Sequence, residues 1–375
     1  MNPGADESVT DKRTGYLELF FDLVFIFAVT QLVTMLHEDH SLGGWERAML
    51  MAWLVWWAWS QFTWAGNAID LDRRPTRVAI LGVTALTLLF AAAMPDAFTV
   101  HGGLRFAVPY TLVRLGGLAL YWLGVRSDEI QRSALRTYLP VAVVSPLVVL
   151  VGGACPPGAR PWVWLVAVGI DITSALAAGR GEFGVAPGHF AERHALMVII
   201  ALGESIVGVG ATVAGLDLTA VLLVTTVAAF VIVASQWWGY FDWVQEAAER
   251  RLTTEPDLRK RGHLARDLFT FGHFPIVLGS VVFALGVEEA VAHPTEPLGA
   301  TGLVAVGGGL VLFLVGFIAG NVRARHTLLT ERAFALVAVV AIVGLGGPRV
   351  AAAVLLVMLA MTLVTLGAVE SVRSG

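Results

Sequence analysis

The stretch YLELFFDLVFIFAVTQLVTMLH, from Tyr16 to His37, decides the fold. As a helix it rises about 33 Å at 1.5 Å per residue, enough to cross a hydrocarbon core about 30 Å thick. Its only acids are Glu18 and Asp22, and no polar face balances the apolar one. Apolar runs of this kind recur along all 375 residues. Hydrophobic residues make up 57% of the chain and charged residues 14%, with a mean hydropathy of +0.74. A soluble domain is nearer 25% charged, so this exterior is built for lipid. The reading is an all-α integral membrane protein.

Twelve spans are expected, near 16–37, 44–67, 77–95, 104–125, 137–154, 161–179, 190–213, 217–242, 264–289, 300–320, 332–347 and 350–370. Turn chemistry and charge mark the breaks, as at Asp72-Arg73-Arg74-Pro75, Cys155-Pro156-Pro157-Gly158 and Gly346-Gly347-Pro348. With the N-terminus inside, twenty of the 25 lysines and arginines fall on the cytoplasmic side, from Lys12 and Arg13 to Arg373. Four (Arg47, Arg105, Arg160 and Arg349) fall opposite, and Arg114 lies within a span. That asymmetry fits both termini in the cytoplasm of a bacterial inner-membrane, multi-pass protein. Residues 1–15 are acidic, lack a small-residue cleavage site and read as a cytoplasmic tail. The net charge of -4 and the absence of a basic patch give no reason to expect a nucleic-acid partner. Cys155 is the only cysteine, which excludes an intrachain disulfide and a cysteine metal site.

The chain also resembles itself. Ser60-Gln61-Phe62-Thr63-Trp64 matches Ser235-Gln236-Trp237-Trp238, and Arg136-Thr137-Tyr138-Leu139-Pro140 matches Arg332-Ala333-Phe334-Ala335-Leu336. The expectation is two parallel six-helix repeats, 16–179 and 180–375, with a charged cytoplasmic linker at about 245–262 in the second. An even number of spans per repeat inserts both in the same sense.

Ionisable residues inside a span cost about 2.5–3.5 kcal/mol on insertion scales, so each needs a reason. Glu204, in Gly203-Glu204-Ser205, lies twelve residues beyond Glu192, about 18 Å along a helix axis. It is the leading candidate for a titrating group, with Ser205 beside it. Glu18 and Asp22, four apart, share a helix face. They either serve the pathway, with Gln31 farther along, or complement a helix N-terminus and pair with an arginine. Glu192, Arg193 and His194, in His189-Phe190-Ala191-Glu192-Arg193-His194, form either a gate or an interfacial ion-pair cluster. Trp53, Trp57 and Trp64 fall on one face of a helix, with Gln61 and Asn67 nearby, and suit a cavity wall for a cationic or apolar ligand. Gln236, Tyr240 and Asp242 close the matching end of span eight. His263 and Asp267 are spaced to pair, His273 lies deeper in that span, and Arg114 and Asp171 are intramembrane charges that can pair. His189 and His194 are five apart, which suits no metal site, and neither a metal nor a cofactor is expected.

Two of these stretches resemble a known family. Glu18-Leu19-Phe20-Phe21-Asp22-Leu23-Val24-Phe25 through Gln31 is similar to the opening motif of the bacterial low temperature requirement A proteins. His189 to His194, with Val198-Ile199-Ile200-Ala201-Leu202-Gly203-Glu204-Ser205-Ile206, is similar to that family's second motif. The resemblance implies a membrane protein over essentially the whole length, and the family name states a phenotype rather than a chemistry. The Phe-Phe-Asp triplet also looks like the Phe-Ser-Asp signature of endosomal potassium/proton channels, although Phe21 replaces the serine and the second half has no such triplet.

The functional expectation is passage of a proton, ion or small solute through a cavity between the repeats. The alternatives are an intramembrane acid-catalysed enzyme on an apolar, isoprenoid-like substrate and a structural envelope protein. No residue is singled out as catalytic. The bilayer is the expected partner, with a homo-oligomer possible.

Overall fold

The computed structural model describes residues 14–71, 73–178, 181–325 and 329–374. Among them every regular element is helical. In chain order they are α1 Tyr16–Glu38, α2 Leu42–Gly66, α3 Arg74–Ala92, α4 Gly102–Gly124, α5 Glu129–Ala142, α6 Val144–Ala154, α7 Arg160–Ala178 and α8 Pro187–Ala214. There follow α9 Ala220–Gly239, α10 Glu246–Thr253, α11 Leu258–Ala265, α12 His273–Ala292, α13 Ala300–Arg325, α14 Thr330–Ala341 and α15 Ala352–Ser374. π-helical turns at Tyr240–Gln245, Arg266–Phe271 and Ile342–Gly346 extend α9, α11 and α14. Lys12, Arg13 and Arg180 lie outside the described residues, as does the tail before Thr14.

Ten helical segments among the described residues are long and apolar enough to cross a membrane. The twelve-span expectation needs two more. One is α2, 25 residues long, whose tryptophans and polar residues lower its hydropathy. The other is α14 with its π turn. The expected span 137–154 is α5 and α6 in series. Pro146 has no N–H to offer the Ala142 carbonyl, and the helix breaks one turn before it. The charged linker expected at 245–262 is itself mostly helical, in α10 and α11. Several starts are capped by side chains. Thr219 accepts from Leu222 N at 3.2 Å to open α9, and Asp257 accepts from Arg259 N at 2.9 Å to open α11.

The chain gathers into two compact units. The first contains the chain up to Ala28, Trp53–His194 and Glu249–Arg266. Its interior is aromatic: Phe21 meets Phe62 at 4.8 Å between ring centroids, Phe90 meets Tyr110 at 5.8 Å and Phe106 meets Trp164 at 5.2 Å. Arg114 is fully buried there. Its Nη2 donates to Asp171 Oδ1 at 2.8 Å and its Nη1 to Tyr110 Oη at 2.8 Å. Arg160, placed by sequence on the outer side, is also buried. It donates to the carbonyls of Ala97 at 2.6 Å, Thr99 at 2.8 Å and Cys155 at 3.0 Å, tying the α3–α4 turn to the α6–α7 turn.

The second unit contains Val29–Ala52, Ala195–Ala248 and Asp267–Gly375. Its centre is the α12–α13 pair, which meets backbone to backbone. A Cβ on Gly279 would lie 2.5 Å from Gly309 O, and one on Gly309 would lie 2.6 Å from Phe283 N. Small residues permit such approach between apolar helices, where van der Waals packing rather than water exclusion supplies the attraction.

Gly309→Leu should therefore destabilise the protein by at least about 1–3 kcal/mol, read as a fall in melting temperature in detergent. An unchanged melting temperature would contradict the close crossing. A second expectation concerns Asp128, outside the spans, which accepts from Gln131 N at 3.0 Å. That backbone hydrogen bond holds its carboxyl below the usual carboxylate range. The cap's contribution is present above the unfolded value near pH 4 and is lost as pH falls through the lower folded value. Asp128→Ala should cost about 1 kcal/mol at neutral pH, with a smaller cost in acid. A cost that grows on acidification would refute the assignment.

Candidate functional site

The strongest concentration of chemistry lies in the first unit, where the opening turns of α1 and α8 meet. Pro187, with φ fixed near the helical value, starts α8 and sets His189 and Arg193 one turn apart on one face. On α1, Gly15 N donates back to Glu18 Oε2 at 3.0 Å, so Glu18 satisfies a free N–H of its own helix start. Asp22 follows one turn on.

These two i,i+4 pairs interlock. Arg193 Nη1 donates to Glu18 Oε1 at 2.9 Å and Nη2 to Asp22 Oδ1 at 2.7 Å. His189 Nε2 lies 3.0 and 3.1 Å from the two Glu18 oxygens. Trp59 Nε1 donates to Asp22 Oδ1 at 2.9 Å, and the Arg193 guanidinium lies 5.9 Å from the Trp59 ring centroid. All five side chains are buried, none more than 4% exposed. The space is tight: a Cβ on Gly66 would lie 2.9 Å from Glu18 Oε1. Thus Glu18 serves both its helix start and the arginine, and Asp22 serves the arginine.

Counted with both carboxyls ionised, the cluster does not balance electrically. Two carboxylates face one permanent cation, and the fourth member is a histidine. With both carboxyls ionised as acceptors, His189 Nε2 carries the hydrogen that points at Glu18. Its Nδ1 is buried and has no hydrogen-bond partner among the described residues, like Asp22 Oδ2. Protonation at Nδ1 would bring the four groups to neutrality.

The remaining candidates are distributed. Glu192 Oε2 accepts from Thr14 N at 2.9 Å, outside the cluster. His194 is buried, places Nδ1 2.8 Å from Phe190 O, and stands edge-on to Trp59 at 5.0 Å. Trp53 and Trp57 stack at 5.3 Å, and Trp64 packs against Phe190 at 5.0 Å. Gln61 exchanges hydrogen bonds with Arg114, receiving from Nε at 2.5 Å and donating to its carbonyl at 2.7 Å. Asn67 Oδ1 accepts from Ala186 N at 3.1 Å, fastening the segment before α8. His263, on α11, is half-buried.

In the second unit, Glu204 is buried and accepts from Thr30 Oγ1 at 3.0 Å, a neutral donor. Ser205 is buried with its hydroxyl unpartnered among the described residues, and Gln31 is half-buried. Glu288 meets His37 at 3.1 Å. Tyr240 Oη lies 2.8 Å from His273 Nε2, and Asp267 accepts from Arg323 Nε at 2.8 Å. Asp242 is exposed.

The description of the family "Bacterial low temperature requirement A protein (LtrA)" matches residues 13–368, including both interlocking segments. The chain belongs to this family. It is 33% identical over 323 residues to Uncharacterized protein RA0937 of Rhizobium meliloti (strain 1021), covering 83% of this chain and 77% of that protein. No solved structure matches the chain.

The sequence reading passes over His189 as a pathway group, and over Trp59, Gly66 and Thr30. The four-residue spacing of His189 and Arg193, matching that of Glu18 and Asp22, is the signal that pairs the two segments. Arg193→Met should strand two buried carboxylates and cost about 3–5 kcal/mol, against about 1 kcal/mol for the single hydrogen bond lost in Trp59→Phe. Thermal unfolding in detergent compares them. A loss from Arg193→Met no larger than from Trp59→Phe would mean the carboxylates are not held as charges.

Proposed function

We propose that this family member moves protons, alone or coupled to a small cation, across the bacterial cytoplasmic membrane, with His189 and Glu18 as a proton-holding step. The observation that carries this reading is the buried cluster of two carboxylates against one arginine, with a histidine nitrogen left to complete the charge. A buried uncompensated charge is costly, so the group gains a proton or a cation rather than remaining bare. Histidine exchanges protons near neutral pH and is therefore suited to both states. Glu204 is a second step in this reading. It sits deep in its span, and its hydrogen bond comes from a neutral hydroxyl rather than a cation.

The reading extends to topology: twelve spans in two parallel repeats, 16–179 and 180–375, with both termini in the cytoplasm. The arginine asymmetry and the Ser-Gln and Arg-aromatic matches support it. On that topology the Glu18–His189 cluster lies at the cytoplasmic mouth and Glu204 farther in.

Flux in sealed proteoliposomes tests the assignment, with a pH-sensitive dye inside and proton, sodium or potassium gradients imposed in turn. Wild type should acidify or alkalinise the lumen in the direction of the gradient. His189→Gln and Glu204→Gln, if they melt within a few degrees of wild type, should lose the flux. Flux unchanged in His189→Gln would remove the cluster from the path. Absence of wild-type flux under all three gradients would refute the proposal.

A further inference from the structure

The second unit contains a cavity of about 380 Å³ among α9, α13, α14 and α15, lined among others by Gln236, Phe313, Phe317, Arg332 and Gly367. Two of its walls carry unspent hydrogen-bonding capacity. Gln236 is 1% exposed, yet neither its Oε1 nor its Nε2 has a partner among the described residues. Arg332, also 1% exposed, is fixed by Glu370, with Nε to Oε1 at 2.5 Å and Nη2 to Oε2 at 3.2 Å, and donates to Gly239 O at 3.2 Å. Its guanidinium carbon sits 4.6 Å from the Phe317 ring centroid. Its Nη1 has no partner among the described residues. A buried polar group left unpaired costs about 1–3 kcal/mol, and two residues of this cavity's wall carry three such atoms.

The same Ser-Gln pair occurs at Ser60-Gln61, where the amide is closed by Arg114 on both its oxygen and its nitrogen. At Gln236 no described residue does this.

We propose that this cavity binds a neutral amphiphile whose polar end is a hydroxyl, a long-chain or isoprenoid alcohol drawn from the bilayer. The chemistry selects that class by elimination. Glu370 already neutralises Arg332, so an anion would face the carboxylate and leave Gln236 Oε1 unserved. A cation would face the guanidinium. An alkane would satisfy none of the three atoms. A hydroxyl accepts from Arg332 Nη1 or Gln236 Nε2 and donates to Gln236 Oε1. Phe313, Phe317 and Leu363 supply an apolar wall for the chain. The volume lies within the range of small-molecule sites and far exceeds the roughly 30 Å³ of one water.

A photoreactive probe tests this: a twelve-carbon primary alcohol with a mid-chain diazirine, applied to the full-length protein in lipid nanodiscs and mapped by peptide mass spectrometry. Wild type should be labelled at the cavity walls, and unlabelled 1-dodecanol should compete while dodecane should not. Gln236→Leu should weaken labelling by about tenfold or more, the loss of a buried hydrogen bond. Gly367→Leu guards against a folding artefact. A Cβ at Gly367 meets open space, so the side chain fills the cavity without displacing backbone. It should block labelling at an unchanged melting temperature. Labelling absent from the cavity, competed equally by dodecane, or untouched by both substitutions would overturn the proposal.

Discussion

A buried guanidinium shared between two carboxylates imposes a geometry on everything around it. Arg193 reaches Glu18 and Asp22 with separate nitrogens at 2.9 and 2.7 Å. That requires α1 and α8 to present matching faces, each with its two polar groups one turn apart. It also requires a glycine at position 66, because a side chain there would press on Glu18. Trp59 completes the arrangement by donating to Asp22 while its ring borders the cation. Removing any cation from such a site leaves a bare charge that lipid cannot solvate. The local helix geometry of the family's two motifs thus follows from one electrostatic demand.

The other buried arginines meet a demand of this kind differently. Arg114 faces Asp171 with Tyr110 and Gln61 filling its remaining donors, one cation to one anion. Arg160 spends itself on backbone carbonyls at the ends of neighbouring helices. Both are closed sites, and a closed site stabilises one conformation. In the Glu18–Asp22–His189–Arg193 group the arginine binds both carboxylates through Nη1 and Nη2, while its Nε has no partner among the described residues. Arg332 faces one carboxylate, Glu370, and likewise keeps one nitrogen, Nη1, without a partner among the described residues. An open charge invites a proton or cation, and an open donor invites a neutral acceptor.

Much of this fold is written in composition and period. Apolar runs of membrane length give the helices, and the proline, glycine and charge clusters give most of the breaks. The π turns carry no residue signature, so the continuation of α9 through Tyr240–Gln245 into α10 is invisible in the sequence. The site was legible in part. Spacing marks Glu18 with Asp22, because helical periodicity is local information. Joining them to residues some 171 positions away is tertiary information that no single sequence states. The tryptophans show the limit well. Trp53, Trp57 and Trp64 share a face, and Trp53 and Trp57 do stack, yet the indole that bonds an acid is Trp59. Periodicity ranks faces, not partners.

Glu204 sharpens the distinction between holding and moving charge. A carboxylate bound to arginine is fixed, since leaving that partner would abandon two charges at once. Glu204 accepts from Thr30, and a hydroxyl serves a protonated carboxyl as readily as an ionised one by exchanging donor for acceptor. Its two states therefore require little rearrangement of neighbours, the property a relay group needs. His189 has one nitrogen against Glu18 and the other without a partner among the described residues. In a medium that solvates no ion, permanent cations hold these helices in register.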